Sequence, residues 1–216
     1  MLHINLRKIK DYEMSHCTTF TFQYTDENLM KRAFENLGFD CNYHYIHFYK
    51  TNNDIERNMP YATTKAITAV DKGFNFFMKK EQDHYVFVAE KHIMDKIDEI
   101  YAQQVEEAFR KEYIKLSVAD FVSGLQIKGI NARLVEKNES YEVLFGPMYE
   151  KSINIEFSDG KITEEVKGIK GKSCVTITET LEDLLSSADV ELNSEWTNEY
   201  YEKSEDELLV YELVKK

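Results

Sequence analysis

Apolar and polar residues alternate from Ile153 through Ile155 to Phe157, reverse at Asp159-Gly160, and resume at Ile162 and Val166. A period of two broken by a turn pair that accepts positive φ predicts a β-hairpin. The next stretch, Lys167-Gly-Ile-Lys-Gly-Lys-Ser-Cys174, is a glycine-bracketed turn. Beyond it Ile177, Leu181, Leu184 and Leu185 fall on one helical stripe, with Ser173 placed to cap the helix. The segment therefore predicts strand, turn, strand and helix in succession.

Upstream, Phe20, Phe22 and Tyr24 alternate along a strand, Asp26 caps a helix carrying Leu29, Met30, Ala33, Phe34 and Leu37, and Gly38 ends it. Residues 39–48 are aromatic and β-prone, and 50–60 read as a loop. Strands follow at 61–70, 74–78 and 85–89, with turns at Asp71-Lys72-Gly73 and Glu81-Gln82-Asp83. Ile93, Ile97, Ile100, Tyr101, Val105, Ala108 and Phe109 recur at helical spacing. Ser117 with Asp120 signals a second helix that ends near Gly129, and 131–135 with 141–145 form a further hairpin. Gly146-Pro147 reads as a boundary. Strands and helices without regular βαβ alternation predict an α+β class with antiparallel sheets. The expected division is an N-terminal domain over 1–146 and a small ββα domain with an acidic tail over 151–216. In residues 1–13, Ile4 and Leu6 alternate, so this stretch is either an added strand or the product of an early start codon.

Composition narrows the function classes. The 216 residues are 43% hydrophobic and 13% aromatic, enough for a buried core. No apolar run reaches the length of a membrane span, and the first residues lack the apolar segment of a secretory signal, so a cytoplasmic location is expected. Three cysteines without paired spacing suggest reduced thiols. The net charge is −12, and from Cys174 to Val214 twelve acidic residues face one lysine, Lys203, leaving −11 there. Such a tail disfavours duplex nucleic acid, which is bound by displacing counterions with cations. It is either a solvated face or an acidic docking strip for a basic protein surface.

Two stretches carry a family resemblance. Met14-Ser-His-Cys-Thr-Thr, Asp71-Lys-Gly-Phe74 and Tyr85-Val-Phe-Val-Ala89, with the helix and hairpin through Phe145, resemble a plastid and cyanobacterial hypothetical open-reading-frame family (ycf type, thirty-five). The family-like part covers 14–146. From 153 to about 202, the Asp159-Gly160 turn, Lys167–Cys174, Leu181-Glu182 and Glu195…Glu199-Tyr-Tyr-Glu202 resemble a small domain family of unknown function. The resemblance implies that the two parts act together, since such small domains are often encoded beside a protein of the first kind. It also implies an AAA+ ATPase as partner, and it supplies no catalytic residues.

Each candidate chemistry has a plainer counterpart. Gly171-Lys172-Ser173 ends like a P-loop, but position 166, where the pattern needs glycine, is valine. What survives is an anion or acidic side chain held by Lys170, Lys172 and Ser173 at a helix N-terminus, against a simple turn into the helix. Cys41, His44 and His47, with His16 and Cys17, are of zinc-ligand type, yet strand alternation turns His44 away from Cys41 and His47. No metal or cofactor is expected. Cys174 is the best reactive-thiol candidate, or else a small buried hydrophobe. Trp196, Glu199, Tyr200, Tyr201 and Glu202 combine aromatic anchors with an acidic rim, the pattern of a partner-binding strip. The expectation is a non-catalytic accessory or adaptor protein. The alternative is a thiol- or metal-dependent activity at Cys174 or at Cys17, Cys41 and His47.

Overall fold

In the computed structural model, residues 14–39, 41–48, 62–71, 73–90, 95–138, 140–171, 173–197 and 201 are described, with backbone alone at 14–15, 42–48 and 62–66. Along the chain run β1 (Met14–Thr21), α1 (Glu27–Asn36), β2 (Asn42–Phe48), β3 (Ala62–Asp71), β4 (Phe74–Glu81), β5 (His84–Glu90) and α2 (Lys96–Ile127). Then come β6 (Ala132–Glu136), β7 (Ser140–Phe145), β8 (Lys151–Ser158), β9 (Lys161–Lys167), α3 (Ser173–Leu185) and β10 (Asn193–Trp196). The class is α+β. One sheet has the order β10-β1-β9-β8-β7-β6 and the other β2-β3-β4-β5. The sheets are mostly antiparallel and open. Among the described residues, no helix is long and apolar enough to cross a membrane.

The chain divides into two compact units that do not follow sequence order. One comprises Met1–Thr19, Gly124–Thr178 and Leu192–Lys216; the other comprises Phe20–Ser123 and Glu179–Glu191.

In the second unit, α1 starts where Asp26 accepts hydrogen bonds from the N–H groups of Asn28 (2.8 Å) and Leu29 (2.9 Å), the expected cap. Its face of Leu29, Met30, Ala33 and Phe34 is buried. Phe34 lies 4.2 Å from Phe109 between ring centroids, and Phe76 lies 5.8 Å from Phe87, so β4, β5, α1 and α2 share an aromatic core. The Tyr113 hydroxyl accepts from the N–H groups of Thr25 and Asp26, each at 3.0 Å, and donates to the Leu184 carbonyl at 3.1 Å. One buried phenol thereby satisfies three backbone groups where helix capping leaves off.

In the first unit, Asp159 (φ 52) and Gly160 (φ 76) form the predicted turn, and β8 pairs with β9 from Ser152↔Lys167 to Ser158↔Lys161. Ile153, Ile155, Ile162 and Val166 occupy its buried face.

Three expectations are corrected. First, α2 is one helix, not two. The Ser117 hydroxyl donates to the Tyr113 carbonyl one turn back (2.9 Å), and Asp120 pairs with Arg32 at 2.6 Å, so the supposed start signal is used inside the helix. Second, the apolar stripe does not begin at Ile97. Ile97 and Ile100 are exposed, and burial begins at Ala102 and Val105. Third, Gly146-Pro147 does not separate two cores. It joins β7 to β8, which pair from Ser140↔Glu156 to Phe145↔Lys151 in one sheet, so 1–146 and 151–216 are not the compact units. The reason is edge satisfaction: the outer backbone of β8 finds its partners on β7. Residues 1–13 and the expected loop at 50–60 lie outside the described residues.

Candidate partner-binding edge

β10 is a strand because its four residues, Asn193-Ser-Glu-Trp196, complete the edge of β1. The register is antiparallel, with Thr19↔Asn193, Thr18↔Ser194, Cys17↔Glu195 and His16↔Trp196. The hydroxyls of Thr18 and Ser194 lie 3.0 Å apart, and the rings of His16 and Trp196 are 5.3 Å apart, tilted by 32°. These cross-strand pairs hold the last described strand in place.

The two faces of this pairing differ. His16 and Thr18 are buried, and His16 Nδ1 has no hydrogen-bond partner among the described residues. Burial holds the His16 imidazole at about 4, well below its ordinary value, because the charged form loses its hydration there. On the opposite face stands Cys17, half-buried. Burial and then the carboxylates of Glu165, Glu195, Glu156 and Glu164 push its thiol up, so these surroundings oppose the thiolate a nucleophile or metal ligand needs.

In sequence, the chain leading into and along β10 is acidic and carries apolar groups. Asp189, Glu191 and Glu195 are exposed, and so are Leu192, Trp196 and Tyr201, with Trp196 at 39% and Tyr201 at 74%. From Ser173 to Glu202 the chain has no lysine or arginine. Of the expected strip, Trp196 and Tyr201 are thus placed at the surface, whereas Glu199, Tyr200 and Glu202 lie outside the described residues.

The other candidates fall elsewhere. Lys170 is exposed, Lys172 lies outside the described residues, and Ser173 is buried as the first residue of α3. Gly168 and Gly171 both have positive φ. A Cβ at Gly168 would stand 2.7 Å from the Glu150 carbonyl oxygen, so close backbone approach accounts for that glycine without a phosphate. Cys174 is fully buried, and its Sγ donates to the Gly171 carbonyl at 3.1 Å. Cys41 is half-buried, in the other compact unit from Cys17. The side chains of His44 and His47 on β2 lie outside the described residues. Among the described residues no group of three or more His, Cys, Asp or Glu could hold a metal ion.

Sequence reasoning named His16 only as a metal-ligand candidate and missed Glu164, and it anticipated neither as a buried polar group of the six-stranded sheet. Glu164 is fully buried on β9 between Ile162 and Val166. The signal was available, since period-two alternation puts Glu164 on the same face as those two apolar residues.

The fold thus defines an α+β protein with a mostly antiparallel, open architecture. Within it residues 153–201, from β8 through β10, match the model of a family described as a protein of unknown function, DUF2997, and the chain carries that domain there. No curated protein matches the chain, and no solved structure does.

Proposed function

We propose that this protein is a cytoplasmic accessory or adaptor that works by binding another protein through the acidic segment around β10. The observation that carries the reading is the combination of exposed Leu192, Trp196 and Tyr201 with uncompensated acid. Among the described residues Asp189, Glu191 and Glu195 enter no ion pair. Apolar anchors inside a polar rim are how interfaces concentrate binding energy. The resemblance of 153–202 to the small domain family, whose neighbourhood includes an AAA+ ATPase, makes such an ATPase the first partner to test. The thiol alternative is less well supported, because Cys174 is buried and engaged and acid surrounds Cys17.

The test is co-purification from cells with point variants. Cutting the chain at 190 would remove a strand from the sheet, so substitution is the cleaner probe. Glu191→Lys with Glu195→Lys should deplete the partner and flatten the salt dependence of its capture. Trp196→Ala should speed dissociation, at a cost of about 2 kcal/mol for a buried anchor. An unchanged set of captured proteins in all three backgrounds would refute the adaptor reading.

A further inference from the structure

Among the described residues Gln82, Tyr149 and Asp159 take positive φ without being glycine. Gln82 and Asp159 stand in tight hairpin turns, where that conformation belongs to the reversal. Tyr149 (φ 55) stands instead in the longer connection from β7 to β8. A bulky ring in this backbone region is strained, and strain persists only where other contacts hold it. Here those contacts are present. The Tyr149 hydroxyl donates to Asn131 Oδ1 at 2.9 Å, and the Arg133 guanidinium lies over the ring, 4.7 Å from its centre. The Glu150 carboxylate accepts from the Met148 N–H at 2.8 Å and closes the loop on itself.

This arrangement presents a cation without a counter-charge. Arg133 is exposed, and among the described residues it enters no ion pair and no hydrogen bond. Of the carboxylates on the adjoining strand and loop, Glu142 pairs with Lys137 at 3.0 Å and Glu150 holds the Met148 N–H. The register sets Arg133 opposite Leu144 and Val135 opposite Glu142, so half-buried Val135 and Leu144 share its face of the sheet. Met148, in the same loop as Tyr149, is 80% exposed. All of these residues belong to one compact unit, in stretches described from 124 to 138 and from 140 to 171.

Charge and shape define the occupant. A guanidinium fork meets a carboxylate through two parallel N–H···O bonds, and stacking on an aromatic ring fixes the fork beforehand. A phosphate group is ordinarily met by several cations, whereas the next cation along the strand, Lys137, is engaged by Glu142. Nucleic acid is disfavoured by the net charge of −12. Apolar Val135, Leu144 and Met148 suit apolar side chains on either side of the acid, which exclude water from the ion pair.

We propose that Arg133, stacked on Tyr149 and accompanied by Val135, Leu144 and Met148, docks a segment of another protein in which an aspartate or glutamate is flanked by apolar residues. The surface goes beyond the adaptor reading. It lies on β6 and its neighbours, at the opposite edge of the six-stranded sheet from β10, and it selects a partner of the opposite charge.

The test selects random dodecapeptides displayed on phage against the full-length protein, with the Arg133→Gln protein as counter-target. Enriched sequences should carry an aspartate or glutamate with an apolar residue on each side. One enriched peptide is then labelled with fluorescein and titrated by anisotropy. Arg133→Lys keeps the charge but loses the planar fork, and it should weaken binding by about tenfold. Met148→Ala should weaken it by about threefold, and glutamine in place of the peptide's acid should abolish it. Lys161→Gln removes a positive charge at the 159–160 turn instead and should change nothing. Urea melts check each fold, and exposed Met148 serves if the Arg133 variants do not fold.

Enriched peptides that lack an acid, or that bind the Arg133→Gln protein equally well, overturn the proposal, as does the absence of enrichment. A phosphoserine peptide that binds about tenfold tighter than its glutamate form reassigns the surface to phosphate and also overturns it. Self-association of the wild type that Arg133→Gln abolishes assigns the surface to a second copy, with the same consequence. Glu191→Lys with Glu195→Lys should leave peptide binding unchanged, so the adaptor reading and this proposal fail separately; a loss of binding there overturns the independence of the surface.

Discussion

The unit built on β2-β3-β4-β5 and the unit built on the six-stranded sheet fill their interiors differently. The first uses rings: Phe34, Phe74, Phe76, Phe77, Phe109 and Tyr113 are fully buried, and many pack edge-on or tilted against one another. The second uses Ile153, Ile155, Ile162, Val166 and Val143, and sets His16, Thr18 and Glu164 among its buried residues. Ring packing demands shape and tolerates little loss. Buried titratable groups make stability depend on proton concentration. The aromatic unit is thus a ring-packed scaffold, which also buries Glu182, whereas the six-stranded unit sets the titratable His16 and Glu164 inside its sheet and carries β10 at its edge.

The largest expected effect tests the scaffold. Phe109 is fully buried and meets the rings of Tyr24, Phe34 and Phe87, so Phe109→Ala should cost about 3–5 kcal/mol in urea unfolding. Ile155→Val in the other unit should cost about 1 kcal/mol. Similar costs for the two would break the contrast.

Acid should discriminate next. The folded-state pKa of His16 is depressed, so the neutral ring favours folding above the unfolded value near 6.5, and that contribution is lost as pH falls towards about 4. The loss should be on the order of 3 kcal/mol between pH 7 and pH 4. It is read as the difference between wild type and His16→Gln in urea melts across that range. Parallel pH profiles for the two proteins would show that His16 is not the responsive group.

A last prediction sharpens the picture of the turn before α3. Gly168→Ala forces a side chain into positive φ and towards the Glu150 carbonyl, and it should lower stability by about 2 kcal/mol. If the anion reading of this turn were right instead, stability would hold while phosphate protection against thermal unfolding disappeared.

Much of the local structure was legible in the chain. The 153–167 hairpin, the Asp26 cap, the β4–β5 hairpin and the helix from Ser173 to Leu185 all follow from short-range periodicity and turn chemistry. Of the candidate site, the acidity and the presence of Trp196 were also readable. What was not readable was the partner across the sheet. Thr18 meets Ser194 and His16 meets Trp196 over almost the whole chain length, and no local pattern encodes such a register.

The sequence by itself determined which residues turn, which cap and which face of each strand is apolar, because those preferences are set within a few residues by backbone sterics and side-chain spacing. Tertiary structure alone decided that Ser117 sits inside a helix, that β8 joins β7 in one sheet, and that the acidic segment supplies an edge strand whose tryptophan ring packs at a tilt against a buried histidine. In each case a backbone or polar group found its partner far away in sequence, and the cost of leaving it unpaired outweighed the local signal.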